Sequence, residues 1–205
     1  MDELIIKTFC LGDIFNNCYL VFGPKSKKGF LIDAPAPVDE ILDFVKIRNL
    51  IISFIALTHA HFDHIAGLES LQFPFYVHRE DSGFLNNSQL NGSVLFGRPF
   101  EINKKPRLYA EGMPFYFGQY PIEIIHTPGH TPGGVSLKLN NWLFSGDTLF
   151  SGSVGRTDIP GASQELILKS IKEKLLSLPP ETQVYPGHGD STTIGREIAT
   201  NPFLG

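Results

Sequence analysis

An α/β domain, with helices laid over a sheet and polar side chains gathered at the strand ends, is the fold class this sequence predicts. Three observations predict it. Short apolar runs bounded by Gly, Pro and Asn recur along the chain and have the length of buried strands. Two segments, around Val38 to Val45 and Ile167 to Leu178, carry the apolar spacing of amphipathic helices. Several apolar runs lead straight into side chains able to bind a metal ion, and ligands collect at strand ends in helix-covered sheets.

The elements follow in order. Ile5 to Leu11 and Asn17 to Phe22 read as strands joined through Gly12-Asp13, and Gly29 to Ile32 is a third that runs into Asp33. Lys25, Lys27 and Lys28 belong to the hairpin turn between the second and third. Pro35-Ala36-Pro37 leads stiffly into a helix whose Val38, Ile41, Leu42 and Val45 share one face. Leu50 to Leu57 is a buried strand, and Phe75 to His78 a short one in which His78 reads as a hydrogen-bonded imidazole. Residues 82–106 show no period, which fits a lid, a binding loop or a plain helix-and-loop excursion. Ile122 to Ile125 leads to His126-Thr127-Pro128-Gly129-His130, and Val135 to Leu139 pairs with Trp142 to Phe144 across Asn140-Asn141, ending at Ser145-Gly146-Asp147. Ser163 caps a helix that Pro179-Pro180 stops. Thr182 to Tyr185 is a strand ahead of Pro186-Gly187-His188-Gly189-Asp190, and a short helix over Thr192 to Ala199 closes the order.

Composition narrows the function classes. A chain of 205 residues is enough for one well-buried domain, and its 42% hydrophobic and 19% charged residues are those of a soluble globule. A net charge of -4 leaves no basic footprint for nucleic acid. The longest apolar run is too short to span a bilayer, and Met1-Asp2-Glu3-Leu4 lacks the basic start of a secretory signal, so a cytoplasmic protein without a membrane partner is expected. Two cysteines, Cys10 and Cys18, exclude a disulfide framework, although a hairpin of the first two strands would let them face each other.

The chemistry lies in His59-Ala60-His61-Phe62-Asp63-His64, after Thr58, where three of the seven histidines occupy six positions. Residues i and i+2 of an extended chain point the same way, so His59 and His61 can converge on one ion. A turn beginning at Phe62 then swings Asp63 and His64 toward a neighbouring point. His130, Asp147 and His188 follow other strands, two of them after Pro-Gly, where proline fixes the approach and glycine lets the chain turn. Five imidazoles and two carboxylates exceed one tetrahedral ion but suit two ions sharing a bridge, for which Asp147, alone on its loop and with two oxygens, is the natural choice. Such a pair, about 3.5 to 4 Å apart, brings the pKa of a shared water toward ~7. No serine or cysteine nucleophile is needed.

Together, Thr58 to His64, Pro128-Gly129-His130, Gly146-Asp147 and Pro186-Gly187-His188-Gly189 resemble the metallo-β-lactamase superfamily, and the match runs from Asn17-Cys18-Tyr19 almost to the end. The resemblance implies an αββα sandwich of two mixed sheets flanked by helices. It implies that His59, His61 and His130 bind a first metal and Asp63, His64 and His188 a second, with Asp147 bridging. Asp63 and Asp147 are thereby the acids of catalysis, and Asp33 matches an acid that orients a ligating imidazole; a helix-leading turn acid is its alternative. Zinc is the expected ion, with iron or manganese as alternatives.

Gly155-Arg156-Thr157-Asp158, Thr192 to Glu197 and Asn201-Pro202-Phe203 are most similar to the hydroxyacylglutathione hydrolases, the glyoxalase II group. That likeness implies hydrolysis of a small-molecule thioester by a metal-bound hydroxide. The 1–205 span is expected to be one such domain without the C-terminal helical domain that supplies glutathione contacts in longer members. Arg156 either anchors a substrate carboxylate or pairs with Asp158. The rival is a persulfide dioxygenase holding one iron on His59, His130 and Asp147. A β-lactamase, a nucleic-acid-processing enzyme and a non-enzymatic metal-binding module fit the sequence less well.

Overall fold

The computed structural model describes residues 2–205. Six strands form the first sheet in chain order: β1 (Ile5–Leu11), β2 (Asn16–Phe22), β3 (Lys28–Ile32), β4 (Ile51–Ala56), β5 (Phe75–His78) and β6 (Arg107–Tyr109). The first three meander antiparallel, and β3 to β6 run parallel. After a small hairpin, β7 (Tyr116–Phe117) with β8 (Tyr120–Pro121), comes the second sheet. It contains β9 (Glu123–His126), β10 (Val135–Leu139), β11 (Trp142–Gly146), β14 (Gln183–Pro186) and β15 (Thr192–Thr193), in the order β15-β14-β11-β10-β9. Between β11 and β14 lie the hairpin β12 (Leu149–Phe150) with β13 (Ser153–Val154) and the helix α3 (Gln164–Ser170). The other helices are α1 (Asp39–Arg48), α2 (Phe62–Ile65) and α4 (Ile194–Thr200).

Strand periodicity sorts these elements into layers. Successive side chains of a strand face opposite sides. Cys18, Leu20 and Phe22 of β2 therefore join Val38 and Ile41 in the core beneath α1, while Tyr19 and Val21 join Val135, Leu137 and Phe144 between the sheets. Beyond the second sheet, Leu143 and Val184 pack on Ile167, Ile171 and Leu175. The order helix, sheet, sheet, helix is the expected αββα sandwich. In β4 a register shift against β3 puts both Ile52 and Ile55 on the α1 side, which simple alternation does not foresee.

The helix signals work locally. Asp39 and Glu40 begin α1 and Lys46 and Arg48 end it, matching its dipole, and Asn49 closes it in the left-handed conformation. Ser163 caps α3 through the N–H of Leu166, and the helix widens to a π-turn over 171–175. Three local expectations need correction. Val38 is the cap of α1 though it still packs in the core beneath it, and Leu42 is exposed. Thr192 and Thr193 pair with β14, so the last helix starts at Ile194. Cys10 and Cys18 do not face each other: β1 pairs Phe9 with Cys18, and Cys10 is exposed while Cys18 is buried. No described helix is long and apolar enough to cross a membrane.

The two halves repeat one topology. Each runs an antiparallel meander of three strands, then a helix, then a strand parallel to the third: β1-β2-β3-α1-β4 and β9-β10-β11-α3-β14. Asp33 follows the third strand of the first half and Asp147 that of the second. His59 and His188 follow the fourth strands.

Candidate metal centre

All seven predicted metal-binding side chains meet at one rim. Ligand atoms of His59, His61 and His130 lie within 4.8 Å of one another, as do those of Asp63, His64 and His188, and those of His59, His64 and Asp147. His61 ends the extended approach from β4, and α2 begins at Phe62, so Asp63 and His64 turn to the second group as the spacing predicts. Glycines allow the loops to close: a Cβ on Gly146, at φ +52°, would strike Thr58, and one on Gly187 would strike Asp147 and His64.

Hydrogen bonds on the outer ring nitrogens set the tautomers. Thr58 Oγ1 donates to Asp33 Oδ2 at 2.8 Å, so it accepts from Nδ1 of His59 at 3.2 Å. His64 Nδ1 donates to the same Asp33 oxygen at 2.8 Å, His130 Nδ1 to the Arg156 carbonyl at 2.9 Å, and His188 Nδ1 to the Ile14 carbonyl at 3.1 Å. The Nε2 atoms of these four rings are left to face inward. His59 Nε2, His64 Nε2 and Asp147 Oδ1 are buried without a hydrogen-bond partner, and His61 Nδ1 lies 2.8 Å from His130 Nε2, the distance of a shared proton. Buried orphans are costly; these three belong to the groups that converge at the rim. The residues thus fit a pair of divalent ions, with outer partners of the kind that hold ligating histidines.

Asp147 stands between the two groups. Its Oδ2 lies 3.6 Å from His130 Nε2 of the first group and 3.6 Å from His188 Nε2 of the second. One oxygen faces both groups, and Oδ1 turns to His64 Nε2 at 3.3 Å.

Electrostatics separate the two groups. Burial, reinforced by the neighbouring imidazoles, pushes His59 far below its ordinary pKa and His61 down to about 3; burial also lowers His130. These rings stay neutral and keep their lone pairs. Burial opposes charge on His64 too, but Asp63, Asp33 and Asp147 outweigh it and raise its pKa, and Asp63 and Asp147 do the same for His188 against burial. Asp63 and Asp147, despite their burial, are held below the ordinary carboxylate range by His64 and the surrounding imidazoles. The second group is therefore a place that attracts positive charge.

Asp33 fills the orienting place rather than that of a helix-leading acid: besides His64 it accepts the Thr58 N–H at 2.7 Å. Arg156 pairs with Asp158 through two bonds, at 2.8 and 2.9 Å. His78 is buried, stacks on His126 with ring planes 17° apart, and accepts the Glu80 N–H at 3.4 Å. Ligand atoms of His78, Glu80 and His126 also lie within 4.8 Å of one another. An ion binds in the plane of an imidazole, so stacked rings cannot both aim at one without turning.

Two clamps escape the sequence. Asp81, fully buried, accepts from Ala60 N (3.1 Å), Thr131 Oγ1 (2.7 Å) and Gly133 N (2.6 Å), tying the loop of His59 and His61 to that of His130. Asn16 Nδ2 donates to Asp63 Oδ2 at 3.0 Å, while Asn17 and Tyr19 hold the carbonyls of the His188 loop. An acid just past a strand, as at Asp33, was the one available signal for Asp81. For the asparagines there was none.

The sequence profile of the metallo-beta-lactamase superfamily matches residues 11–188. The chain belongs to this superfamily. Among curated relatives of this metallo-β-lactamase-fold protein, the probable metallo-hydrolase YqgX of Bacillus subtilis (strain 168) is 38% identical over 95% of this chain and 94% of its own length. Hydroxyacylglutathione hydrolase GloC of Haemophilus influenzae is 33% identical over 92% of each. Among solved structures, the BLEG-1 B3 metallo-beta-lactamase superposes with a TM-score of 0.93 at 38% identity, over 98% of this chain and 99% of that one. TTHA1623 in a di-iron-bound form does so at 0.85 and 39%, over 97% and 100%. The chain is a metal-dependent hydrolase of this superfamily with a histidine-rich metal site.

Proposed function

We propose that this metallo-β-lactamase-fold protein hydrolyses thioesters of the hydroxyacylglutathione kind with two divalent ions, one on His59, His61 and His130, the other on Asp63, His64 and His188. The observation that carries this reading is the single Asp147 oxygen lying 3.6 Å from both His130 Nε2 of the first group and His188 Nε2 of the second. A mononuclear iron site would leave Asp63 and His188 without a task, yet they are fixed as firmly as the rest, by Asn16 and by the Ile14 carbonyl. The 33% identity to GloC supports the thioester, and the di-iron form of TTHA1623 supports a pair of ions without selecting zinc.

Bound there, the ions supply Lewis acidity and a water ionised near neutral pH. The chain's residues do the rest. Neutral His59, His61 and His130 hold their lone pairs ready without deprotonation, and Asp33 fixes the His64 ring by its outer nitrogen. Asp63, kept ionised and anchored by Asn16 and His188, adds negative charge where the second ion would sit. Phe62, Phe96 and Ile14 wall the approach and thin the water around the reacting carbon.

The test is turnover of lactoylglutathione and simpler thioesters beside metal analysis of the same preparation. Two ions per chain with thioester cleavage are expected. One iron per chain, with oxygen uptake on glutathione persulfide and no thioester cleavage, overturns the reading in favour of the dioxygenase.

A further inference from the structure

The metal-site rim opens into a cavity of about 320 Å³ whose floor includes His61, Asp63, His130, Asp147 and His188. Its walls are apolar: Phe62, Leu90, Leu95, Phe96, Phe150 and Ile159. Leu95 and Phe96 come from the aperiodic 82–106 stretch, where they are largely exposed, 66% and 49%. Phe62, between the metal-site residues His61 and Asp63, packs against Phe96 with ring centroids 4.4 Å apart and ring planes tilted by 36°. Exposed apolar side chains clustered at a polar reaction centre mark a surface meant to be covered. The one cation in the wall is Arg156, already engaged by Asp158. A second cavity, of about 350 Å³, lies on the other side of the Phe62–Phe96 wall and shares Ile14 and Asp63 with the first. Two chambers meeting at Asp63 suit a molecule with two arms joined at the reacting carbon.

We infer that the Phe62/Leu95/Phe96 chamber takes an uncharged apolar arm of the substrate, and that thioesters with a lengthening alkyl or aryl arm are preferred to the twice-carboxylated glutathione conjugate. This rests on the thioester part of that reading and departs from its glutathione arm. A glutathione arm offers carboxylates and amides to a wall that returns few polar partners, whereas each methylene buried there gains transfer free energy. That gain corresponds to about fourfold in kcat/KM per methylene.

The experiment uses the metal-loaded chain and two thioester series, one lengthening the acyl arm on a fixed neutral thiol and one lengthening an alkyl thiol on a fixed acetyl group, with lactoylglutathione alongside. Ketone analogues with CH2 in place of sulfur are titrated calorimetrically into loaded and metal-stripped protein. Expected are a severalfold rise in kcat/KM per methylene in at least one series and tighter ketone binding with length in both preparations. The substitutions L95S and F96S should flatten both slopes, while L108S, on the exposed edge strand β6, should leave them as they are. Flat slopes in both series, with lactoylglutathione the best substrate, overturn the inference and leave the thioesterase intact. No cleavage of any thioester, with length-dependent ketone binding, overturns the thioester reading and supports the apolar chamber.

Discussion

Replacing Asp81 by alanine withdraws the acceptor for three donors at once: the N–H groups of Ala60 and Gly133 and the hydroxyl of Thr131. Each buried donor left without a partner costs ~1–3 kcal/mol, and relief of a buried carboxylate returns part of the sum. A net loss of about 3 to 5 kcal/mol is expected, a large share of the ~5–15 kcal/mol that holds a domain together. The damage is directed, because Ala60 separates His59 from His61 and Thr131 follows His130; metal affinity should fall ~10- to 100-fold, as with other outer partners of ligating histidines. Urea unfolding of metal-stripped protein reads the first effect, and competition with a chelator the second.

Acid adds a further check on Asp81. Burial, against its three hydrogen bonds, pushes its pKa up to about 6. A raised carboxyl pKa contributes stability that is complete below the unfolded value near 4 and is lost as pH rises through about 6. The gap between wild type and D81A should therefore widen by about 1 kcal/mol between pH 7.5 and pH 5. An alanine variant whose urea midpoint and metal affinity match the wild type at both pH values would refute the clamp.

Further outcomes follow from the same geometry. Asp147→Asn should cut thioester turnover by two orders of magnitude or more and lower the metal count below two while the fold persists, read by metal analysis and circular dichroism. H130A should lose metal and activity together, whereas H78A, away from both groups, should keep both. On acidification of the loaded protein the Asp63/His64/His188 ion should leave first. His64 and His188 have raised pKa values and bind the competing protons early, while His61 stays neutral down to about 3; simultaneous loss would contradict the split. Removing the ions should lower the melting temperature, since a ligand at 100 times its Kd stabilises by ~2.7 kcal/mol.

Much of the centre was legible because its signals are local. His59 and His61 declare themselves by i, i+2 spacing on an extended chain, Asp63 and His64 by the turn that follows, and His130 and His188 by Pro-Gly ahead of them. The strands and the cap at Ser163 were legible for the same reason: alternation and capping act within a few residues. The chamber walls were not, since residues 82–106 follow no period; they are held by one-off contacts such as Asn91 Nδ2 to the Phe100 carbonyl.

The sequence by itself determined which groups are available to grip metal, that they lie beyond strand ends, and that the chain builds layered sheets under helices. Tertiary structure alone decided that Asp147 offers one oxygen to both groups, that Asp81 locks two loops that lie 71 residues apart at Ala60 and Thr131, and that Leu95 and Phe96 arrive beside the reacting centre. The division has a physical cause. Periodicity and backbone chirality are written residue by residue, whereas a hydrogen bond between distant loops depends on where two sheets come to rest against each other, and no short stretch of chain encodes that.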